Sequence, residues 1–444
     1  MDTRTLARKL IRWAGIGIGA LVVSAALGVF GLHLYGAHRL EKARSDFAAH
    51  WGHLVLDPTP TSLPDHLNGA RWLMAGGQAI ICSIEDQKFI GTLSGESARG
   101  WTDTEQARAR WILHEQQNAL GILLRSGSFP AFHFGRDGAR ATYDEIDFLS
   151  TVTGLRLLTV EARLAWSEGR ASDCLAALDA VSRAADGLLR TPVVLTSTLG
   201  SAAARWSSSA AADLVSDPCT SVATLVEIQH LLPSEDPIHS SNITLASSIA
   251  EITDEGLDYV EDVHDPSMSW SLPAGVSNRY LLEDLVVAEI LERWSRFLEI
   301  GQRPAADWPA DAGRSSWGDA AWPQWIALTG AYTPNLLSAR VRAQAASTDL
   351  QQLRAALDLR LASPEGLDEN ACSLVEDTRP TVLTGQPMSC GYHEDRGTIV
   401  IEVPGAEQAL SAFVSPGNHA SRFPPIELPV GSDYCTKTMD SQGQ

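Results

Sequence analysis

The stretch from Ala162 to Val181, "ARLAWSEGRASDCLAALDAV", decides the fold class of this chain. Glu168-Gly169-Arg170 separates two runs of helical periodicity, and Gly169 suits the left-handed cap that ends a helix. Ser172 follows at a position where its side chain would cap the next helix. The stretch therefore predicts an antiparallel helical hairpin of the tetratricopeptide type.

The apolar positions of both helices predict which residues form the core of this hairpin. We expect Leu158, Leu175 and Leu178 to be buried in it. The predicted stripe of the first helix is Ile146, Leu149, Leu155, Leu158, Ala162 and Ala165, and that of the second is Leu175, Leu178, Val181, Ala185 and Leu188. The sequence contains one convincing copy of the hairpin, whereas a repeat solenoid needs several.

Further helices are predicted on the C-terminal side of the hairpin. Pro192 opens a third helix that ends at Val215, before Asp217-Pro218. The later helical segments are 220–231, 243–263, 279–300 and 336–361. The predicted fold is therefore mainly α, with helix packed on helix in an α-helical domain over residues 67–365.

The N-terminal part of the chain holds a long apolar segment. Trp13 to Leu32 is 20 residues without a charge, which as a helix spans about 30 Å, the thickness of the hydrocarbon core of a bilayer. A cleaved signal peptide is the alternative, because Val23-Ser24-Ala25 resembles a cleavage site. The apolar run continues past Ala25, and this favours a retained transmembrane helix over residues 13–35.

The charges around this segment predict its orientation. Four basic residues precede it and three follow it: Arg4, Arg8, Lys9 and Arg12, then Arg39, Lys42 and Arg44. Because the more basic flank stays in the cytoplasm, residues 1–12 are predicted to be cytoplasmic and the bulk of the chain extracytoplasmic, in a single-pass inner-membrane protein. A stalk with a Pro-rich linker follows at 36–66, and Gly15 and Gly19 form a G-x-x-x-G motif through which two spans could dimerise.

The composition and the motifs exclude several functions. The net charge is −20, and an acidic body repels phosphate backbones, so no nucleic-acid partner is predicted. His114-Glu115 begins a zinc-protease pattern but lacks its second histidine, which removes a metal ligand. No catalytic, cofactor-binding or metal-ligating residue is assigned, and the chain is predicted not to be an enzyme.

Tryptophans concentrate in a segment rich in glycine and proline. Trp308, Trp317 and Trp322 lie in this segment, which extends to Trp325 and is predicted to be a loop. Exposed indoles on such a loop could stack on sugar rings or contact a protein partner. The alternative is that they pin an irregular loop to the helical core.

The last part of the chain, residues 366–444, is predicted to be a small separate module. Cys372, Cys390 and Cys435 lie in it, and none of the six cysteines of the chain forms a C-x-x-C pair. In an oxidising compartment, Cys372–Cys390 and Cys390–Cys435 are competing disulfide pairings, and free buried thiols are the alternative to both.

Residues 387–403 of this module predict a β-hairpin. His393 to Gly397 is a polar connection in which the glycine can adopt positive φ, and Ile399, Ile401 and Val403 share one face of the second strand. Because an isolated hairpin is marginal in water, we expect it to lie against the helices or to pair with a further strand. His393 and Glu394 are then turn residues of a structural cap, and no catalytic role is assigned to them.

Three stretches resemble a group of bacterial membrane-anchored helical proteins. They are "FPAFHFGRDGARATYDEIDFLSTVTGLRLLTVEARLAWSEGRASDCLAAL", "TPNLLSARVRAQAASTDLQQLRAALDLRL" and "RPTVLTGQPMSCGYHEDRGTIVIEV". Thr384, Gly385, Gln386, Pro387 and Tyr392 stand in the group's C-terminal segment D-P-x-T-G-x-P-L-x-Y. The resemblance implies an anchor, an α-hairpin body and this C-terminal segment, and it implies no activity.

The C-terminal ending is also similar to that of type II secretion pseudopilins, in which a sheet follows a long helix. A pseudopilin needs a glutamate early in its apolar helix, and no acidic residue lies between Thr3 and Leu40, so that class is excluded. The predicted function is a membrane-anchored, extracytoplasmic helical scaffold or binding protein of the cell envelope. The alternative is a glycan-binding protein or a peptidoglycan-acting enzyme that uses the tryptophan-rich loop 308–325.

Overall fold

A computed structural model describes residues 3–55, 64–129, 131–134, 146–255, 279–308, 334–363, 366–368, 370–375, 380–413 and 422–431. The chain is mainly helical, with one long apolar N-terminal helix and a small antiparallel sheet near the C-terminus, as predicted. It divides into two compact units. The first combines residues of 1–55 and 246–296, and the second contains most of the helical body and the C-terminal module.

The helices are numbered here in chain order. They are α1 (Thr3–Trp51), α2 (Gly69–Gln78), α3 (Ile84–Leu93), α4 (Asp103–Glu115), α5 (Gln117–Ser126), α6 (Phe148–Ser167), α7 (Ala171–Arg190), α8 (Val194–Val215), α9 (Val222–Leu231), α10 (Pro237–Glu255), α11 (Arg279–Gly301), α12 (Pro334–Ala362) and α13 (Ala406–Ser411). The strands are β1 (Ser389–His393), β2 (Thr398–Glu402) and β3 (Ile426–Pro429).

The first unit is built around α1, which continues well past the apolar segment. Every residue from Ile16 to Tyr35 is exposed, whereas Gly36, Leu40, Ala43 and Phe47 are buried. Their spacing places one stripe of the helix against a neighbour. That neighbour is α11, since a methyl group on Gly36 would lie 3.1 Å from Cγ of Leu285.

The predicted hairpin is formed by α6 and α7. Gly169 has a φ of 74°, the left-handed conformation that was expected of the cap between them. Leu158 and Leu178 are buried, with 0% and 2% of their surface exposed. The prediction for the core was therefore right for these two leucines.

Three details of the hairpin were predicted wrongly. Leu175 is only half-buried, because Cys174 and Ala177 occupy the buried face of α7 and Leu175 lies beside that face. Leu149 is 82% exposed, because it lies in the first turn of α6. Ser172 does not cap α7, since that helix begins one residue earlier and Ser172 lies in its solvent-facing first turn.

Helix α8 lies between α7 and α12 in the core of the second unit. Its small residues permit close contact: Ser182 and Ser207 are hydrogen-bonded at 2.6 Å between α7 and α8, and Gly200 has no room for a side chain beside Leu189. Arg205 of α8 and Asp349 of α12 form an ion pair at 2.5 Å. These contacts join the hairpin to the later helices.

Most of the remaining helix boundaries agree with the predictions. The third helix ends at Val215 as expected, but it begins at Val194. Helix α10 begins at Pro237, six residues before the predicted start at 243, and the predicted end at 263 lies outside the described residues. Helices α11 and α12 agree with the segments 279–300 and 336–361 to within two residues.

The C-terminal sheet has the strand order β1-β2-β3, and both pairings are antiparallel. In the register, Cys390 pairs with Ile401, and Ile399 pairs with Tyr392 on one side and Leu428 on the other. The predicted hairpin thus pairs with a further strand, and Gly397 in its turn has the expected positive φ of 61°. Gln352 of α12 donates a hydrogen bond of 2.8 Å to the carbonyl of Ile401, which ties the sheet to the helices.

Candidate functional site

The C-terminal module is held together by a disulfide between Cys372 and Cys390, whose Cα atoms are 5.4 Å apart. The bond joins a short 3-10 turn to β1 and corresponds to the first of the two predicted pairings. Cys219 is also disulfide-bonded, and Cys435 lies outside the described residues. Cys82 and Cys174 are free thiols.

The Thr384-Gly385-Gln386-Pro387 segment forms a closed loop. The amide of Thr381 donates to the carbonyl of Gln386 at 2.9 Å, and the amide of Gly385 donates to the carbonyl of Thr381 at 2.8 Å. Gly385 has a φ of 68°, and a side chain there would lie 3.0 Å from Cγ of Pro304. The hydroxyl oxygen of Thr384 accepts from the amide of Gln386 at 3.2 Å and lies 2.8 Å from the hydroxyl oxygen of Thr381. The threonine and the glycine of this motif therefore have structural roles.

Trp308 lies beside this loop and is buried, with 6% of its surface exposed. Its indole N–H donates to the carbonyl of Arg303 at 3.0 Å, and its ring packs edge-on against Phe413 with the centroids 4.9 Å apart. The indole is therefore covered on the surface that would stack on a sugar. Trp317 and Trp322 lie outside the described residues.

Several buried arginines bind the carbonyl groups at the ends of helices. Arg163 donates to the carbonyls of Leu93, the last residue of α3, and Glu96. Arg340 donates twice to the carbonyl of Gly301 at the end of α11. Burial lowers the pKa of Arg340 to about 10 and also lowers the pKa of Arg163. The sequence around these arginines does not indicate their hydrogen bonds, because the residue that supplies each carbonyl lies far away along the chain.

A cleft of about 360 Å³ opens between the start of α9, the end of α12 and β3. Arg360 lines it and donates to the carbonyls of Val215 and Asp217, each at 3.1 Å. The other described lining residues are small, apolar or hydroxyl-bearing, for example Ser221, Ser363 and Leu367. The cleft therefore presents no described carboxylate, imidazole or thiol to a ligand.

The residues around His114 support the structure of the second unit. His114 and Glu115 are exposed at the end of α4, while Gln116 is buried. The side-chain amide of Gln116 makes two hydrogen bonds to the backbone of Ile81. Its oxygen accepts from the N–H of Ile81 at 3.0 Å, and its nitrogen donates to the carbonyl of Ile81 at 2.9 Å. Within the described ranges, no group of three or more His, Cys, Asp or Glu residues is arranged to hold a metal ion.

A cluster of charged side chains lies in the first unit, between α1 and α11. Arg39 is 2.5 Å from a carboxylate oxygen of Glu289 and 2.5 Å from one of Glu292, and Arg293 is 2.5 Å from Glu289. Burial would raise the pKa of Glu289, but hydrogen bonds from Arg39 and Arg293 outweigh it and lower that pKa. We call α1 residues 36–47 together with α11 residues 285–293 the α1–α11 pair.

No local pattern in the sequence indicates this pair. Arg39 is one of the three basic residues after the apolar segment, and its partners lie 250 or more residues away. Further toward the N-terminus, Gly19 of the predicted dimer motif is exposed, and nothing lies within 4 Å of the position of a side chain on it.

Comparisons were made with protein-family models, with curated proteins and with solved structures. No family model matches this chain, no curated protein matches it, and no solved structure matches it. Any statement about the function therefore depends on the residues and geometry of the chain itself.

Proposed function

We propose that this protein is a single-pass protein of the bacterial inner membrane. Residues 1–12 are cytoplasmic, residues 13–35 span the bilayer, and residues 45–444 lie on the extracytoplasmic side. There the helical body acts as a non-catalytic scaffold or binding surface of the cell envelope, with its tetratricopeptide-like hairpin presented to a protein partner.

The observation that carries this proposal is the disulfide between Cys372 and Cys390. Structural disulfides persist in oxidising compartments and are rare in the cytoplasm. A disulfide in the C-terminal module therefore supports an extracytoplasmic location for the body. The four basic residues before the apolar segment support the same orientation, because basic flanks are retained in the cytoplasm.

The exposure of α1 supports the membrane anchor. A window of this helix has a mean hydropathy of 2.0, and none of it is buried within the protein. Large side chains such as Leu21, Leu27 and Phe30 expose 71%, 66% and 59% of their surface. Contiguous apolar surface of this size marks a contact with lipid or protein, and its length matches a bilayer.

The use of the buried polar groups supports a role in binding. The guanidinium groups of Arg163, Arg340 and Arg360 donate to backbone carbonyls, and the indole of Trp308 does the same. These buried groups stabilise the helical array and do not face a ligand. We therefore propose that a partner binds the outer surface of the helices. The burial of Trp308 gives no support to the glycan-binding alternative.

The orientation is tested with reporter fusions after Gln444 in the full-length protein. A reporter that is active only outside the cytoplasm should be active there, and one that is active only in the cytoplasm should be silent. The matched control places both reporters after Arg12, where the result should reverse. Activity of the cytoplasmic reporter at Gln444 would contradict the orientation, and a mature N-terminus near Ala26 would contradict the anchor.

The binding role is tested by crosslinking in the native membrane, followed by mass spectrometry of the purified protein. We expect the same protein partner to be recovered with the wild type and to be lost when the outer surface of α7 is changed, for example at Asp179 and Arg183. A matched control changes Glu407 of α13. Hydrolysis of peptidoglycan by the purified protein, or its retention on peptidoglycan, would contradict the scaffold and favour the alternative function.

A further inference from the structure

Helix α6 lies beside α8 and runs in the same direction. Arg163 of α6 donates to the hydroxyl of Ser209 in α8 at 2.7 Å, and Trp166, three residues later, donates to Asp217 just after α8 at 3.1 Å. Positions that advance together along both helices indicate a parallel arrangement. Arg156 precedes Arg163 by two turns of α6, so it lies beside the middle of α8.

Helix α12 also lies beside α8 and runs in the same direction. Arg205 of α8 pairs with Asp349 of α12 at 2.5 Å, and Arg360, further along α12, donates to the carbonyl of Val215 at the end of α8. Arg342 precedes Asp349 by two turns and therefore lies on the same face of α12. This places Arg342 beside the first half of α8.

The outer face of α8 between these neighbours is only half-buried. Arg205 and Trp206 point about 100° apart around the helix, toward α12 and α6 respectively, and Thr198 and Ala202 lie between them along the axis. Gly200, which meets α7, lies on the opposite side of α8. We call the following residues the α8 face: Arg156, Thr198, Ala202, Arg205, Trp206 and Arg342.

Arg156 carries a positive charge that no carboxylate in the described part of the chain balances. Its guanidinium carbon is 5.4 Å from the centroid of the Trp206 ring, and a methyl group on Gly91 of α3 would lie 3.3 Å from its Nη1 atom. The Nε–H of Arg156 is buried and finds no acceptor among the described residues. Burial lowers the pKa of Arg156, and no neighbouring carboxylate raises that pKa.

Arg342 is a second half-buried arginine of this kind. Burial and the positive charge of Arg205 both lower its pKa, and no carboxylate of the described ranges raises that pKa. Arg205 is itself paired with Asp349, so that carboxylate is already in use. Removing a charge from water without a partner costs free energy. Arg156 and Arg342 therefore lack the counterions that would offset their burial.

We infer that the α8 face binds a carboxylate-bearing segment of a partner protein, in which two acidic side chains pair with Arg156 and Arg342. Charge complementarity identifies this occupant, because the chain has a net charge of −20 and yet presents two unbalanced positive charges on this face. Arginine binds carboxylates through two parallel hydrogen bonds, and arginine and tryptophan are enriched at the energetic centres of interfaces. The inference rests on the proposed binding role and names the chemistry of the partner.

The separation of the two arginines favours an extended segment over one small anion. The charge of Arg205 acts on Arg342, whereas that of Arg156 does not. Packed helices have axes about 8–10 Å apart, so the axes of α6 and α12 are at most about 20 Å apart across α8. At about 3.3 Å per residue, an extended segment of about six residues covers this distance.

The inference is tested with fluorescein-labelled decaglutamate, whose binding to the full-length protein in detergent is followed by fluorescence anisotropy at low ionic strength. Arg156→Met and Arg342→Met each remove one charge and keep most of the packing of the side chain. The matched control is Arg190→Met, which removes the same charge from an exposed residue that is already paired with Glu235.

We expect decaglutamate to bind the wild type and Arg190→Met equally and to bind Arg156→Met and Arg342→Met about tenfold more weakly, because each of these lacks one charge-assisted contact. Absence of binding to the wild type, or equal binding to all four proteins, would overturn the inference. Displacement of the peptide by inorganic phosphate at constant ionic strength would indicate a small-anion site and would also overturn it.

Thermal unfolding separates this binding role from a structural one. Removing an unbalanced, half-buried charge should leave the melting temperature of both variants unchanged or raise it. A loss of several degrees in both would show that the arginines stabilise the fold, which contradicts the inference. If decaglutamate does not bind but crosslinking still recovers a protein partner, the role of the α8 face is wrong and the proposed scaffold stands. If crosslinking recovers no partner, the scaffold itself is contradicted.

Discussion

Arg39 joins α1 to α11 through two carboxylates. It is 23% exposed, and it is hydrogen-bonded to both Glu289 and Glu292. Replacing it by methionine keeps the packing of the side chain but leaves Glu289, which is 21% exposed, without one of its two arginines. We expect Arg39→Met to lower the free energy of unfolding by about 1–2 kcal/mol, since the pair is only partly screened by solvent. Thermal unfolding in detergent measures this change.

The control for Arg39 is Arg183→Met, which removes an exposed pair with Asp179 within one helix. That change should cost no more than about 0.5 kcal/mol. The two variants should also differ in their pH dependence. Glu289 has a lowered pKa in the folded protein, so its contribution is present above the usual glutamate pKa of about 4.3 and is lost as the pH falls below it. The difference between wild type and Arg39→Met should therefore shrink at low pH, and a constant difference would contradict the assignment.

Cys174 is predicted to be chemically inert in the folded protein. Burial, together with the nearby charges of Asp213 and Glu161, raises the pKa of its thiol to about 12. The thiolate is the species that reacts, so iodoacetamide at neutral pH should modify Cys174 only after denaturation. Burial and the charge of Asp86 also raise the pKa of Cys82, but this thiol is only partly buried, so it should react faster than Cys174 in the folded protein. Peptide mass spectrometry separates the two sites, and equal labelling of both in the native state would show that Cys174 is not buried.

The α6–α7 hairpin is the element that best tests the helical core. Leu178 is fully enclosed, Leu175 is half-buried and Leu149 is 82% exposed, so one set of Leu→Ala changes covers the whole range of burial. We expect Leu178→Ala to cost about 2–5 kcal/mol, Leu175→Ala to cost less than half of that, and Leu149→Ala to be close to neutral. Chemical denaturation of the full-length protein gives the order, and a neutral Leu178→Ala would refute the placement of the hairpin.

Substitutions in the buried strand of the C-terminal sheet and substitutions at its turn should have different effects on stability. Ile399 and Ile401 are fully buried in β2, whereas His393 and Glu394 are exposed. His393, which was predicted to be a turn residue, is the last residue of β1 and pairs with Thr398, and only Glu394 lies in the turn. Replacing both isoleucines with serine buries two hydroxyl groups and should destabilise the module by several kcal/mol. Replacing His393 and Glu394 with alanine should leave the melting temperature unchanged. If the alanine pair abolished partner binding in a folded protein, the turn would be a functional site and the role of the sheet as a cap would be wrong.

At the scale of the whole molecule, the disulfide links stability to location. Cys372 and Cys390 are 18 residues apart, and closing a loop of this length stabilises a fold by about 3 kcal/mol in the chain-entropy model. We expect a Cys372→Ala/Cys390→Ala double variant to lose stability of this order and to be degraded faster in the cell. Cys82→Ala is the control and should behave like wild type. An unaffected half-life of the double variant would remove the argument for an oxidising compartment.

Local patterns predicted much of this fold. Periodicity and caps predicted the α6–α7 hairpin and the ends of α8, α11 and α12, and glycine chemistry predicted the positive φ of Gly169 and Gly397. These features depend on residues a few positions apart, so they can be found in a single sequence. Errors arose at helix starts, as for Ser172 and Leu149, where one residue of shift changes which side chain faces the core.

The long-range contacts could not be predicted in this way. The third strand, Ile426–Pro429, lies beyond the hairpin that it completes, and Arg39 meets Glu289 across 250 residues of sequence. The sequence also left two disulfide pairings open, and only the folded chain brings the Cα atoms of Cys372 and Cys390 within 5.4 Å. The apolar composition of the N-terminal segment was enough to predict a helix that is long and apolar enough to cross a membrane. Which of its faces meets α11, and at what level, depends on side-chain packing between distant helices, which no local pattern encodes.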